Sequence, residues 1–248
     1  MRNVLICQIL IVGVSLMFTT SCKKDTNNSN TNDLTLIDID GNVYDTVRIG
    51  TQTWMVQNLR TTHYNDGTAI PNITDATAWS TLSTPGYCWY KNDETSNKPI
   101  YGALYNWHVI NTGKLCPKGW HVPTNDEFTV LENYLIANGY NYDGKTSGNN
   151  YAKALASITG WSLSTNPGAI GTNDYPSKRN ATGFTARPGG YRTLDGTFAL
   201  IGDAGYWWSS SENGPSLVWY RQMYFNISNI SSTYINKGVG FSIRCIKN

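Results

Sequence analysis

The sequence predicts an α+β domain made of short antiparallel strands, two or three short helices and long irregular loops. One segment, Thr124 to Asn138, carries the boundary signals of an amphipathic helix at both ends. Elsewhere apolar residues alternate only over short runs bounded by turn residues, which is the pattern of half-buried strands. Charged residues make up only 15% of the chain, against nine Trp, sixteen Tyr and 23 Gly. That balance suits a turn-rich extracellular domain better than a cytosolic helical one. A chain of 248 residues is long enough for one large core. Its 19 Lys and Arg against 17 Asp and Glu leave a net charge of +2, with the cations scattered. No basic field for nucleic acid results.

Ahead of the domain, Arg2 precedes an apolar run of 15 residues, Val4 to Phe18, that ends in Thr19-Thr20-Ser21-Cys22. The run is shorter than the roughly 20 residues of a spanning helix. Residues 1–21 read as a lipoprotein signal peptide, with Cys22 as the site of acylation. The competing reading is an ordinary secretory signal with an incidental cysteine. Residues 22–33 form the lipidated Cys and a flexible tether, since Lys23 to Asp33 holds no apolar residue to bury. Several acyl chains, palmitate among them, anchor firmly where one does not, so the expected location is the outer membrane, exposed at the cell surface. The folded domain is expected over residues 34–248.

Within it, Leu36 to Leu59 predicts two or three short strands joined by turns at Asp40-Gly41 and Ile49-Gly50. Asp38, Asp40 and Asn42 mimic the start of a calcium loop, but Gly41 and Ile49 stand where that loop needs other residues, so a strand turn is expected. Residues 60–100 predict irregular structure, except for a strand at Tyr87 to Tyr90, with a polar loop from Lys91 to Lys98. Tyr101 to Ile110 suggests a short helix. Next comes the segment after Pro123. Thr124 caps it, Glu127 three residues on completes a capping box, Phe128, Leu131 and Leu135 recur at helical spacing, and Gly139 marks its end. A second short helix is expected around Tyr151 to Ser157. Residues 162–205 carry few regular signals, and closing strands are expected at Tyr206–Ser210, Leu217–Ile227 and Gly240–Ile246.

Several stretches in fixed order carry a resemblance: Asp38 to Tyr44, Ile49 to Met55, Tyr101 to Trp107, Cys116 to Phe128, Pro188 to Arg192, Gly205 to Glu212 and Lys237 to Cys245. Together they resemble the Fibrobacter succinogenes major paralogous domain of bacterial surface proteins and lipoproteins. That family looks related to the C-type lectin-like and formylglycine-generating-enzyme folds. The resemblance implies a C-type lectin-like fold and, by its habit of joining the first helix region to the last strand, a disulfide between Cys116 and Cys245. Such a bridge closes a long loop, worth roughly 4–5 kcal/mol on the chain-entropy model. Cys88 is then a buried thiol. The resemblance also makes residues 162–205 the long loop region where ligands bind, with Tyr175, Arg179, Arg187, Tyr191 and Arg192 as ligand candidates.

Catalytic constellations are not apparent. The four Glu are Glu94, Glu127, Glu132 and Glu212, with Glu127 already used by the helix cap, and most Asp precede Gly in turns. His63, His108 and His121 lie far apart, no C-x-x-C spacing suggests zinc, and the motifs of calcium-dependent lectins are missing. Ser209 to Ser211 lacks the nucleophile-elbow context. No metal, cofactor or catalytic residue is therefore expected. The expectation is a surface-anchored binding or adhesion module whose partner is a polysaccharide or a surface glycoprotein. The alternatives are an enzyme derived from the formylglycine-generating fold and a structural envelope component.

Overall fold

The computed structural model describes residues 35–248; the expected signal peptide, the Cys22 acylation site and the tether lie outside the described residues. Strands β1 (Leu36–Ile37) and β2 (Val43–Tyr44) pair across a turn that Asp38 organises. Its Oδ1 accepts the amides of Asp40 and Asn42 at 3.0 and 2.9 Å, and its Oδ2 accepts the Tyr44 hydroxyl at 2.6 Å. That carboxylate serves a turn. β3 (Thr46–Ile49) and β4 (Gln52–Met55) form a hairpin at Gly50, whose φ of 61° only glycine adopts freely. A Cβ there would sit 2.7 Å from the Tyr134 ring.

Two helices stand where loops were expected. α1 (Ala76–Ser80) is capped by Asp75, whose Oδ1 accepts the Ala78 amide at 2.7 Å. After β5 (Tyr87–Cys88), α2 (Glu94–Tyr101) is capped by Asp93 and supported by the Glu94–Lys98 pair at 2.7 Å. It buries only Asn97, so no apolar stripe announces it. The helix expected from Tyr101 is instead β6 (Leu104–Tyr105), paired with β5, and a 3₁₀ segment, Trp107–Thr112. Gly102, at φ 73°, ends α2 and turns the chain into β6.

After β7 (Trp120–His121), α3 (Asn125–Ala137) has the full capping box. Thr124 Oγ1 accepts the Glu127 amide at 3.1 Å, and Glu127 Oε2 accepts the Thr124 amide at 2.8 Å. It closes as a Schellman motif, the Gly139 and Tyr140 amides donating to the Ile136 and Leu135 carbonyls. α4 (Ala152–Leu155) is the second short helix, one turn long. The loop region holds more order than its composition suggests: β8 (Gly189–Arg192) and β9 (Phe198–Ile201) form a hairpin.

β10 (Ala204–Glu212), β11 (Leu217–Tyr224) and β12 (Ser231–Asn236) complete a five-stranded sheet in the order β12-β11-β10-β8-β9, in which β10 and β8 run parallel. The last strand, β13 (Ile246–Lys247), lies between β4 and β7 in a four-stranded sheet. The strand expected from Gly240 is shorter, because Gly240, Phe241 and Ser242 pass between elements and make single bridges to Arg192, Tyr105 and Trp207.

The architecture is α+β. One apolar cluster gathers Met55, Tyr105, Trp208, Phe241 and Cys245, and a second packs α3 through Phe128, Leu131 and Leu135 against Trp54, Trp207 and Met223. Arg221 of β11 joins sheet to helix, its Nε bonding Glu132 and its Nη1 donating to Asn125 Oδ1 at 2.9 Å. Cys116 and Cys245 are bridged, with Cα atoms 6.0 Å apart. Cys88 is free and buried, and burial pushes its thiol up to about 12, which leaves it unreactive at neutral pH.

Candidate functional site

A polar concavity of about 410 Å³ lies between α1, the 3₁₀ segment and the end of β12. Trp79, buried against it, is held from behind by the Arg192 guanidinium, 4.5 Å above the ring centre. Its indole Nε1 is buried with no acceptor among the described residues. Asn236, Lys237, His108, Ser83 and Ser216 also line the concavity. Lys237 is already neutralised by Glu212 at 3.0 Å and lies over the Trp107 ring at 4.6 Å. Burial, then the Lys237 charge, pushes His108 below the usual histidine range, so the imidazole is neutral at pH 7. The groove therefore presents uncharged donors and acceptors. Among the described residues, no carboxylate or thiol lines it.

The loop residues expected to bind ligand do not converge. Tyr175, 43% exposed and at φ 47°, packs on Tyr142 at 5.0 Å. Its loop is organised by Lys153, whose ammonium is buried and bonds the Thr172 and Asp174 carbonyls at 2.9 and 2.7 Å and the Asp174 carboxylate. Arg179 donates to the Ile170 carbonyl in the same region. Tyr191 lies elsewhere, on the five-stranded sheet, against Tyr206 at 4.8 Å, whose hydroxyl pairs with that of Tyr224 at 2.7 Å.

Arg192 departs furthest from its expected role. It is fully buried, and its donors go to the carbonyls of Gly196, Ile73 and Thr74 at 2.9, 2.5 and 3.1 Å. It ties the β8–β9 hairpin to α1 and cannot meet a ligand at the surface. Arg187 opens into a separate cavity of about 170 Å³ beside the buried Arg244. Arg244 stacks on Phe184 at 4.2 Å and donates to Asn58 Oδ1 at 2.9 Å, to the Phe184 carbonyl and to the Thr185 carbonyl at 2.8 Å.

Sequence reasoning missed the groove. Asp75, three residues before Ala78, was the readable sign of α1 and hence of an ordered Trp79. Asn236 ends an edge strand, β12, whose alternating half-exposed residues carry no apolar face, and Lys237 follows it in a turn.

His121 is placed by the helix cap: Glu127 Oε1 accepts from its Nε2 at 2.8 Å, and its Nδ1 meets Asn248 Oδ1 at 2.7 Å. His63 bonds Asp40 through Nδ1 at 2.5 Å. Among the described residues, no three His, Cys, Asp or Glu side chains group as a metal site, and no helix is long and apolar enough to cross a membrane.

A family model described as the Fibrobacter succinogenes major domain matches residues 47–247. No curated protein and no solved structure matches.

Proposed function

The chain belongs to the Fibrobacter succinogenes major domain family, and from that premise we propose that it is a binding module for uncharged polysaccharide chains at the cell surface. The observation that carries the reading is the Trp79 groove: open, hydroxyl- and amide-lined, with its cation already paired and its imidazole neutral. Sugar hydroxyls are both donors and acceptors, and they match Asn236, Ser83, Ser216 and neutral His108 without the cost of desolvating a free charge. Leu82 and Leu194 add apolar wall for the C–H faces of a sugar ring. The glycan of a surface glycoprotein offers the same chemistry. Acylation at Cys22 would hold the domain at the outer membrane on the tether of residues 23–33, and Cys22→Ser tests this by releasing the protein from the membrane fraction.

Affinity electrophoresis on a panel of neutral polysaccharides tests the groove. Retardation by at least one is expected. His108→Ala, or Ser83→Trp placed to fill the groove, should weaken it about tenfold or more, the equivalent of one or two lost hydrogen bonds. Equal mobility of parent and variants on every polysaccharide would refute the reading.

A further inference from the structure

We propose that the cavity between Arg187 and Arg244 is a binding site for one oxyanion, a carboxylate or sulfate group, carried by a small polar ligand. Nothing in the polysaccharide reading depends on it, and the two cavities share no lining residue.

The argument begins with unspent donors. A guanidinium has five N–H groups. Arg244, 1% exposed, directs three nitrogens to Asn58, Phe184 and Thr185, which leaves two N–H groups without a partner. The Arg187 guanidinium has neither hydrogen bond nor ion pair among the described residues, although it is half-buried. Among the described residues no aspartate or glutamate lines the cavity, so two like charges share a pocket without a counter-ion there. Burial and the Arg187 charge push Arg244 down to about 9, which leaves it cationic at neutral pH but strained electrostatically. An entering anion offsets both the burial and the repulsion, since it pairs with two cations where water is scarce.

The cavity is also held in shape. Asn58 Oδ1 fixes Arg244 while the Asn58 amide donates to the Tyr101 carbonyl at 2.8 Å and to Ser242 Oγ at 3.1 Å. Thr185 sits at φ 58°, a conformation that a β-branched residue adopts only under constraint. Asn180 supplies the constraint, accepting the Thr185 amide at 2.8 Å and donating to its hydroxyl at 3.0 Å. That twist aims the Thr185 carbonyl at Arg244, and backbone strain of this kind gathers at ligand clamps. Val56, Pro99 and Ile100 form the apolar side of the cavity, and Gln57 at its edge is bound to Asp45. A volume of about 170 Å³ admits an oxyanion with part of the ring that bears it.

The test is the unfolding midpoint of the purified chain titrated with sodium acetate, sodium sulfate or sodium glucuronate, each matched in ionic strength by sodium chloride, with glucose as the uncharged control. A saturable rise beyond chloride is expected for at least one oxyanion. Arg187→Met should weaken its apparent affinity about tenfold, a loss of roughly 1.4 kcal/mol, and Arg187→Lys should keep part of it. A larger effect of glucuronate than of acetate assigns the site to sugar acids; equal effects assign it to free anions. No rise beyond chloride in the parent, or the same titration in Arg187→Met and the parent, overturns the proposal. His108→Ala leaves this titration unchanged, so failure here and failure of the groove are read separately.

Discussion

Glu127 holds three groups at once: the amide and hydroxyl of Thr124 at 2.8 and 2.9 Å and Nε2 of His121 at 2.8 Å. Burial pushes its carboxyl up, but the Thr124 and His121 bonds outweigh burial and hold it below the usual glutamate range. A depressed folded-state value means stability that is present above the unfolded value, about 4.3, and lost as pH falls through the folded one. Glu127→Gln should therefore cost about 1 kcal/mol at neutral pH, and the cost should shrink in acid, which urea unfolding at pH 7 and pH 3 will measure. Arg187 and Arg192 give the residue-scale lesson on legibility. Both are arginines in one polar stretch, yet Arg192 is consumed by carbonyls of Ile73 and Thr74, more than a hundred residues earlier in the chain, while Arg187 meets no partner among the described residues. Local sequence does not encode which carbonyls arrive.

At the scale of the element, α3 was legible at both ends because its signals are local: a capping box, an apolar stripe and a glycine at φ 70°. Gly139→Ala forces that left-handed conformation on a residue with a Cβ, which also meets the Gly144 carbonyl at 3.2 Å. A loss of about 1 kcal/mol is expected, seen as a lower urea midpoint with unchanged slope. α2 and the β8–β9 hairpin were not legible for opposite reasons. α2 buries one asparagine and has no hydrophobic period. The hairpin's residues pair with β10 and with Gly240, contacts that local alternation cannot announce. The groove inherits this difficulty, since its walls come from α1, a 3₁₀ segment and an edge strand.

For the whole molecule, the disulfide and β13 act on the same closure. Cys116 and Cys245 are 129 residues apart, and their bridge removes loop entropy from the unfolded chain. Reduction, or the paired change Cys116→Ser with Cys245→Ser, should cost up to about 4 kcal/mol and lower the melting temperature without altering the circular dichroism of the folded state. An unchanged melting temperature would place the stabilisation in packing alone. The pairing followed from family resemblance, while its reason is geometric: β13 inserts between β4 and β7 and carries Cys245 to Cys116. That insertion sets a schedule for synthesis. A ribosome completes β4 and β7 long before it reaches Ile246, so each nascent chain holds two strands whose shared partner does not yet exist. Their unpaired edges must be kept from other chains until Ile246 and Lys247 emerge, and the sheet is completed in that late step.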